Sequence, residues 1–158
     1  MNLYLVRHAM AQNTPVSIND FKRKLTLDGV KQAELLKDYL MGVDFNEIDI
    51  YISRSFRTKH TAKIALPNFT KKSWILNENL YLATHQYLLK FINQLNTSRD
   101  IFVLGHNDGI SSLASYLTGQ YIALNTASCV LINFKCENSI EISGATGNLI
   151  SFFNPVLK

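Results

Sequence analysis

Three apolar runs, each stopped short and each followed by a stretch of helical period, limit what this chain can fold into. Asn2-Leu3-Tyr4-Leu5-Val6, Ile48-Asp49-Ile50-Tyr51-Ile52 and Ile101-Phe102-Val103-Leu104 have the length and residue types of strands. After the first, Val30, Ala33, Leu36 and Leu40 recur at helical spacing across residues 27–41, with Thr26 as N-cap and Gly42 as the stop. After the second, Ser53 or Ser55 caps a helix running to about Leu66, before Pro67. After the third, residues 109–117 read as a helix ended by Thr118-Gly119. A short strand at Trp74-Ile75-Leu76 and a helix over 84–96, with Tyr87, Leu88, Phe91, Ile92 and Leu95 on one face, complete the alternation. Residues 128–134, 140–143 and 149–153 form a strand-rich, antiparallel C-terminus. Alternating strands and helices predict an α/β fold whose sheet is mostly parallel, with antiparallel strands added last.

Size and composition narrow the class. The 158 residues fit one domain, 1–158, and 47% hydrophobic with 18% charged residues is the balance of a globular protein with a real core. The N-terminus has no basic region before its apolar run, so no signal peptide is expected. No stretch approaches the roughly 18 apolar residues of a membrane span, so no membrane partner is expected. Cys129 and Cys136 lack the spacing of a zinc site or a disulfide framework, and two reduced thiols suit a cytoplasmic protein. The aromatic residues Tyr87, Phe91, Phe134, Phe152 and Phe153 fall on periodic segments and are assigned to the core.

The net charge of +4 gathers in Lys22-Arg23-Lys24 and in Arg54, Arg57, Lys59 and Lys63. That is modest for a nucleic-acid binder, and a cationic rim that steers anionic substrates has the same signature. No nucleic-acid partner is expected.

Two histidines stand where such folds bind ligands, just past the carboxyl ends of strands. Arg7-His8 ends the first run, and Gly105-His106-Asn107-Asp108-Gly109 closes the third. Between them, Ser53-Arg54-Ser55-Phe56-Arg57-Thr58 puts two arginines at a helix start, where free N–H groups favour anions. A neutral imidazole can accept a phosphoryl group, and a guanidinium grips phosphate oxygens in pairs. Three strand–turn–helix junctions each carry a residue suited to phosphate. The polar stretch 9–24, with Pro15, is long for a loop, and loops of that length are often functional. His60 and His85 lie within or at the start of helices and are read as packing or surface residues, and no histidine pair has metal-ligand spacing; neither metal nor cofactor is expected.

Arg7-His8-Ala9-Met10-Ala11, Arg23-Lys24-Leu25-Thr26-Leu27-Asp28-Gly29, the Ser53–Thr58 segment, Leu80-Tyr81-Leu82-Ala83, Leu104-Gly105-His106-Asn107-Asp108-Gly109 and Asn125-Thr126-Ala127 occur in the order found in the histidine phosphatase superfamily, and the chain resembles its small SixA-type phosphohistidine phosphatases. The resemblance implies a three-layer α/β/α sandwich of the phosphoglycerate mutase-like kind. It implies His8 as nucleophile, with Arg7, Arg57 and His106 around the phosphate. It also implies Arg23 as a phosphate contact from the long loop, with Arg54 and Lys59 at the rim. Ala9 stands where the superfamily has glycine, and SixA-type members often have alanine there.

The expected activity is a two-step phosphatase acting through phosphorylated His8, with phosphohistidine on a partner protein as substrate. A small phosphorylated metabolite is the alternative, and a phosphate- or nucleic-acid-binding module without catalysis is the remote one. The ester reading needs a proton donor. Glu78 and Asp108 are the candidates; Glu78 also suits a surface or capping role, and Asp108 a turn.

Overall fold

The protein is described here by a computed structural model covering residues 1–13, 19–66 and 74–157; Pro15 and Pro67 lie outside the described residues. Strands β1 (Asn2–Arg7), β2 (Ile48–Ser53), β3 (Trp74–Asn77), β4 (Asp100–Gly105), β5 (Cys129–Phe134) and β6 (Gly147–Phe153) alternate with helices α1 (Leu27–Leu40), α2 (Phe56–Ala65), α3 (His85–Leu95) and α4 (Gly109–Thr118). The strands form one sheet in the order β3-β2-β4-β1-β5-β6. The first four in that order are parallel, and β5 and β6 run antiparallel.

The three layers follow from the two-residue period of the central strands. Leu3, Leu5, Ile101 and Val103 join a core cluster with Leu88 and Ile92 of α3 and Leu113 and Leu117 of α4. Their alternates Tyr4, Val6, Phe102 and Leu104 join a second cluster with Leu36 and Leu40 of α1 and Ala62 and Ala65 of α2. Both faces of the sheet are therefore covered. This is the α/β/α sandwich expected.

That arrangement determines where a ligand can sit. The chain leaves β1 toward the α1–α2 face and leaves β4 toward the α3–α4 face. Adjacent parallel strands whose connections diverge open a crevice at their carboxyl ends. Arg7 pairs with Gly105 in the β1–β4 register, so His8 and His106 both enter that crevice.

Local signals place the helix starts. The side chains of Thr26, Ser55 and Thr84 accept hydrogen bonds from the N–H groups of Gly29, Thr58 and Tyr87, so Ser55 rather than Ser53 is the cap of α2. Gly29 is required by proximity: a Cβ there would lie 2.0 Å from the Met10 carbonyl oxygen. That carbonyl accepts from Thr26 N–H (3.0 Å), and Gln32 Oε1 accepts from Met10 N–H (2.9 Å). The start of α1 thus clamps the segment just after His8.

The C-terminal region departs from expectation at residues 140–143, which are not a strand. Ser139–Glu141 forms a 3-10 turn. Asn138 Oδ1 accepts from Ile140 N–H (3.0 Å), and Asn93 Nδ2 donates to the carbonyls of Ser139 (2.8 Å) and Ile142 (3.0 Å). Side chains satisfy this backbone, so it needs no partner strand. Two aromatic assignments also fail. Phe134 is buried, and Phe91 and Phe153 pack against the core, but Tyr87 and Phe152 are exposed. The core face of α3 is set by Leu88 and Ile92, which leaves Tyr87 on its flank. Phe152 lies on the outward-facing set of edge strand β6.

Candidate active site

His8 is held by its backbone and oriented by its own ring. Its N–H donates to the Gly105 carbonyl (3.2 Å), and its carbonyl accepts from Ala127 N–H (3.0 Å). Ala9 N–H donates to Thr61 Oγ1 (3.0 Å) on α2. His8 Nδ1 lies 2.7 Å from the Ala9 carbonyl, which accepts only, so Nδ1 carries the proton and Nε2 presents a lone pair. Burial pushes the ring's pKa down to about 4; the Ala9 bond opposes this, and the charges of Arg57, Arg7 and Arg23 add to it. At neutral pH the His8 ring is uncharged, with its Nε2 lone pair oriented.

Arg57, 2% exposed, is the largest fully buried side chain among the described residues. A buried cation needs partners, and it has them on both sides. Nε–H donates to His8 Nε2 (3.2 Å), Nη1 to the Asp20 carbonyl (2.7 Å) and Nη2 to Asp20 Oδ2 (3.0 Å). Asp20 Oδ1 also accepts from Arg23 Nη1 (3.0 Å), and Oδ2 accepts from the Tyr81 hydroxyl. Partial burial works to raise the Asp20 pKa, but hydrogen bonds from Tyr81 and Arg23 and the charge of Arg57 hold it well below the usual carboxylate range.

His106 stands across the crevice, its ring centroid 5.1 Å from that of His8 and 5.3 Å from that of Tyr81. Its Nε2 meets Ser53 Oγ at 2.8 Å. Burial, then His8 and Arg57, push its pKa down to about 3. Arg7 Nη1 donates to the Leu124 carbonyl (2.9 Å).

Three buried side-chain nitrogens among the described residues have no partner: Trp74 Nε1, Arg7 Nε and His106 Nδ1. A buried polar atom left unpaired is destabilising by about 1–3 kcal/mol. Two of the three belong to residues lining one cleft of about 280 Å³, whose walls also include His8, Asp20, Arg23 and Arg57. Unpaired nitrogens beside three arginines suit an oxyanion. A larger groove of about 630 Å³, between α3, α4 and Ile140, holds none of these residues.

The remaining expected site residues lie apart. Arg54 and Glu78 do not line the cleft; they pair with each other, both well exposed. Asp108 sits at the N-cap position of α4 without a side-chain capping bond. His60 and Lys59 line a separate groove beside α2. Sequence reading missed Asp20 altogether and assigned no site role to Ser53 or Tyr81. The one local signal for Asp20 is its opposite charge three residues before Arg23.

The depressed histidines make a pH prediction. Their folded pKa values, about 4 and about 3, lie below the ordinary 6.5. The unfolded chain therefore binds more protons as pH falls below about 6.5, and stability drops by a few kcal/mol down to the folded values. Asp20 adds to this loss only below its ordinary 3.8. NMR titration of the two rings is expected to show midpoints near 4 and 3; midpoints near 6.5 would contradict the burial argument.

The chain belongs to the histidine phosphatase superfamily (branch 1), whose family model matches residues 3–81, half of its length. That membership supports a phosphatase, with a phosphorylated substrate and a phosphate-like ligand in its site. Solved structures share the fold across nearly the whole chain. A protein assigned as the phosphohistidine phosphatase SixA from Agrobacterium tumefaciens is 20% identical, with a TM-score of 0.80 and 98% of each chain covered. One so assigned from Nakamurella multipartitia is 19% identical, with a TM-score of 0.81 over 99% of this chain and 96% of that one. The protein histidine phosphatase SixA complexed with tungstate is 16% identical, with a TM-score of 0.78 over 98% and 97%. No curated protein matches the sequence. Among the described residues, no helix is long and apolar enough to cross a membrane.

Proposed function

We propose that this protein, acting as one domain over residues 1–158, removes the phosphoryl group from phosphohistidine on a partner protein. His8 Nε2 attacks phosphorus in line with the scissile P–N bond. That bond breaks as the new one forms; the substrate imidazole, protonated on its other ring nitrogen by solvent beforehand, takes the electron pair and departs neutral. Water then attacks the phosphorus on His8, releasing inorganic phosphate and restoring the ring. Arg7, Arg57 and His106 hold the equatorial oxygens, where positioning and charge supply most of the catalysis. Arg23 adds a contact from the loop, and Arg54 stays at the rim.

The observation that carries the substrate class is the state of the carboxyl groups. Asp20, the one carboxyl group lining the cleft among the described residues, is held ionised by its donors. Glu78 is turned to Arg54 outside the lining. An alkoxide leaving group needs a proton donor, whereas a protonated imidazole leaves without one. The cleft, at about 280 Å³, is also small for a site that engulfs a metabolite. It suits a phosphoryl group presented by a larger surface. Free thiols at Cys129 and Cys136 suit a reducing compartment such as the cytoplasm.

The test is turnover on a phosphohistidine-bearing protein against phosphoserine and p-nitrophenyl phosphate. The phosphoramidate is expected to be preferred by roughly 100-fold or more in kcat/KM, the scale of a missing general acid. Glu78→Gln is expected to change neither rate. Efficient ester hydrolysis that collapses in Glu78→Gln would instead establish a phosphomonoesterase.

A further inference from the structure

Nε–H and one Nη2–H of an arginine point from the same edge of the planar guanidinium. That edge is the fork that takes two oxygens of a phosphate. In Arg57 both nitrogens of that edge already have partners: Nε donates to His8 Nε2 (3.2 Å) and Nη2 to Asp20 Oδ2 (3.0 Å). A phosphoryl group bonded to His8 Nε2 lies against Arg57 in the cleft that Asp20 also lines, and calls on the Nη2 group that Oδ2 now holds. The other fork hydrogen is engaged as well, since Nη1 donates to the Asp20 backbone carbonyl (2.7 Å). Asp20 Oδ1 meanwhile takes a hydrogen of Arg23 (3.0 Å), the second arginine of the lining that a phosphate would recruit.

We propose that the Asp20 carboxylate occupies the subsite of one phosphoryl oxygen, and that substrate binds by displacing it, so that Asp20 sets the affinity of the site for oxyanions. This rests on the reading of His8 and Arg57 as phosphoryl-binding groups. A carboxylate and a phosphate dianion cannot share one guanidinium edge: both are acceptors only, and like charges repel at that distance. Hydrogen bonds from Tyr81 and Arg23 and the charge of Arg57 keep Asp20 ionised while it holds this place. The carboxylate has to move.

Its attachment permits that. Asp20 opens the short 3-10 turn Asp20–Lys22, which has no buried residue, and its side chain is 41% exposed. The turn is held to the site by polar contacts from Arg57, Arg23 and Tyr81 and by edge-on packing of Phe21 against Tyr81 at 5.2 Å. A resident carboxylate keeps the buried Arg57 partnered between turnovers. It also discriminates against free inorganic phosphate, which gains nothing beyond the subsite. A phosphoryl group carried on a protein gains further contacts and can pay for the displacement.

The experiment is calorimetric binding of tungstate, and inhibition by inorganic phosphate, in the wild type, Asp20→Asn, Asp20→Ala and Asp108→Asn. Asp108 is a nearby carboxylate whose charge opposes the lowering of the Arg7 pKa by burial without touching Arg57, and it controls for charge alone. Both Asp20 variants are expected to bind tungstate about tenfold more tightly, a difference of about 1.4 kcal/mol. Asp108→Asn is expected to shift binding by about twofold or less, the scale of a screened surface charge. Tyr81→Phe keeps the carboxylate but removes one of its anchors, and is expected to tighten binding by a smaller factor. Unchanged or weaker binding in both Asp20 variants makes Asp20 a positioning residue for Arg57 and overturns the proposal. Equal tightening in Asp108→Asn overturns it too. If neither the wild type nor any variant binds tungstate, the phosphate reading of the cleft itself fails.

Discussion

His8→Ala is expected to abolish turnover, with kcat falling by roughly 10⁴-fold or more, the scale seen when a covalent nucleophile is removed. The size of the effect follows from geometry. His8 Nε2 is the lone pair facing Arg57, its tautomer set by the Nδ1 contact to the Ala9 carbonyl. His106 stands across the crevice with its Nε2 held by Ser53 Oγ, and is expected not to take over the attack. Without the nucleophile, only charge stabilisation by Arg7, Arg57 and His106 remains, and water must attack the substrate directly. The check is a rapid-quench measurement with ³²P-labelled substrate. Wild type should trap acid-labile, base-stable label on the protein, and His8→Ala should trap none. Full activity in the variant would end the nucleophile assignment. The backbone bonds of His8 to Gly105 and Ala127 do not involve the ring and persist in the variant, while Arg57 Nε loses its partner, so circular dichroism accompanies the rate measurement.

Arg57→Ala is expected to reduce kcat by about 10²–10³, the usual loss on removing one preorganised donor to a developing oxyanion. The guanidinium is placed by burial and by its Nη1 bond to the Asp20 backbone carbonyl, so its charge needs little reorganisation as the transition state forms. Arg57→Lys separates charge from geometry. An ammonium keeps the charge but loses the planar fork, so most of the defect should persist in the lysine variant. Stopped-flow single-turnover rates, with circular dichroism to confirm folding, measure the effect. Recovery to within a few-fold of wild type by lysine would mean that simple charge, and not the bidentate edge, is what the site uses.

Much of the fold was legible before any coordinates because its signals are local. The three apolar runs, the helical repeats between them and the caps Thr26, Ser55 and Thr84 depend on neighbours within about one turn. The same holds for the positions of Arg7, His8, Arg57 and His106, each at a strand–helix junction. The failures come where local pattern is ambiguous. Ile140-Glu141-Ile142-Ser143 alternates as a strand should, yet Asn93, far off in sequence, takes its carbonyls. Tyr87 and Phe152 sit on periodic segments, but the flank of α3 and the outer set of an edge strand leave them in solvent.

From its residues alone, this chain had to be an alternating α/β fold with histidines and arginines delivered to the ends of its parallel strands, since period and capping are short-range properties. Their meeting in one cleft was decided by the tertiary structure. The parallel pairing of β1 with β4, whose connections diverge to opposite faces of the sheet, sets the two rings 5.1 Å apart. The partners that tune them come from much further along the chain: Ser53 reaches His106, and Asp20 reaches both Arg57 and Tyr81. No periodicity encodes such contacts, because they exist only once the sheet has chosen its strand order and brought a loop turn against the mouth of the crevice.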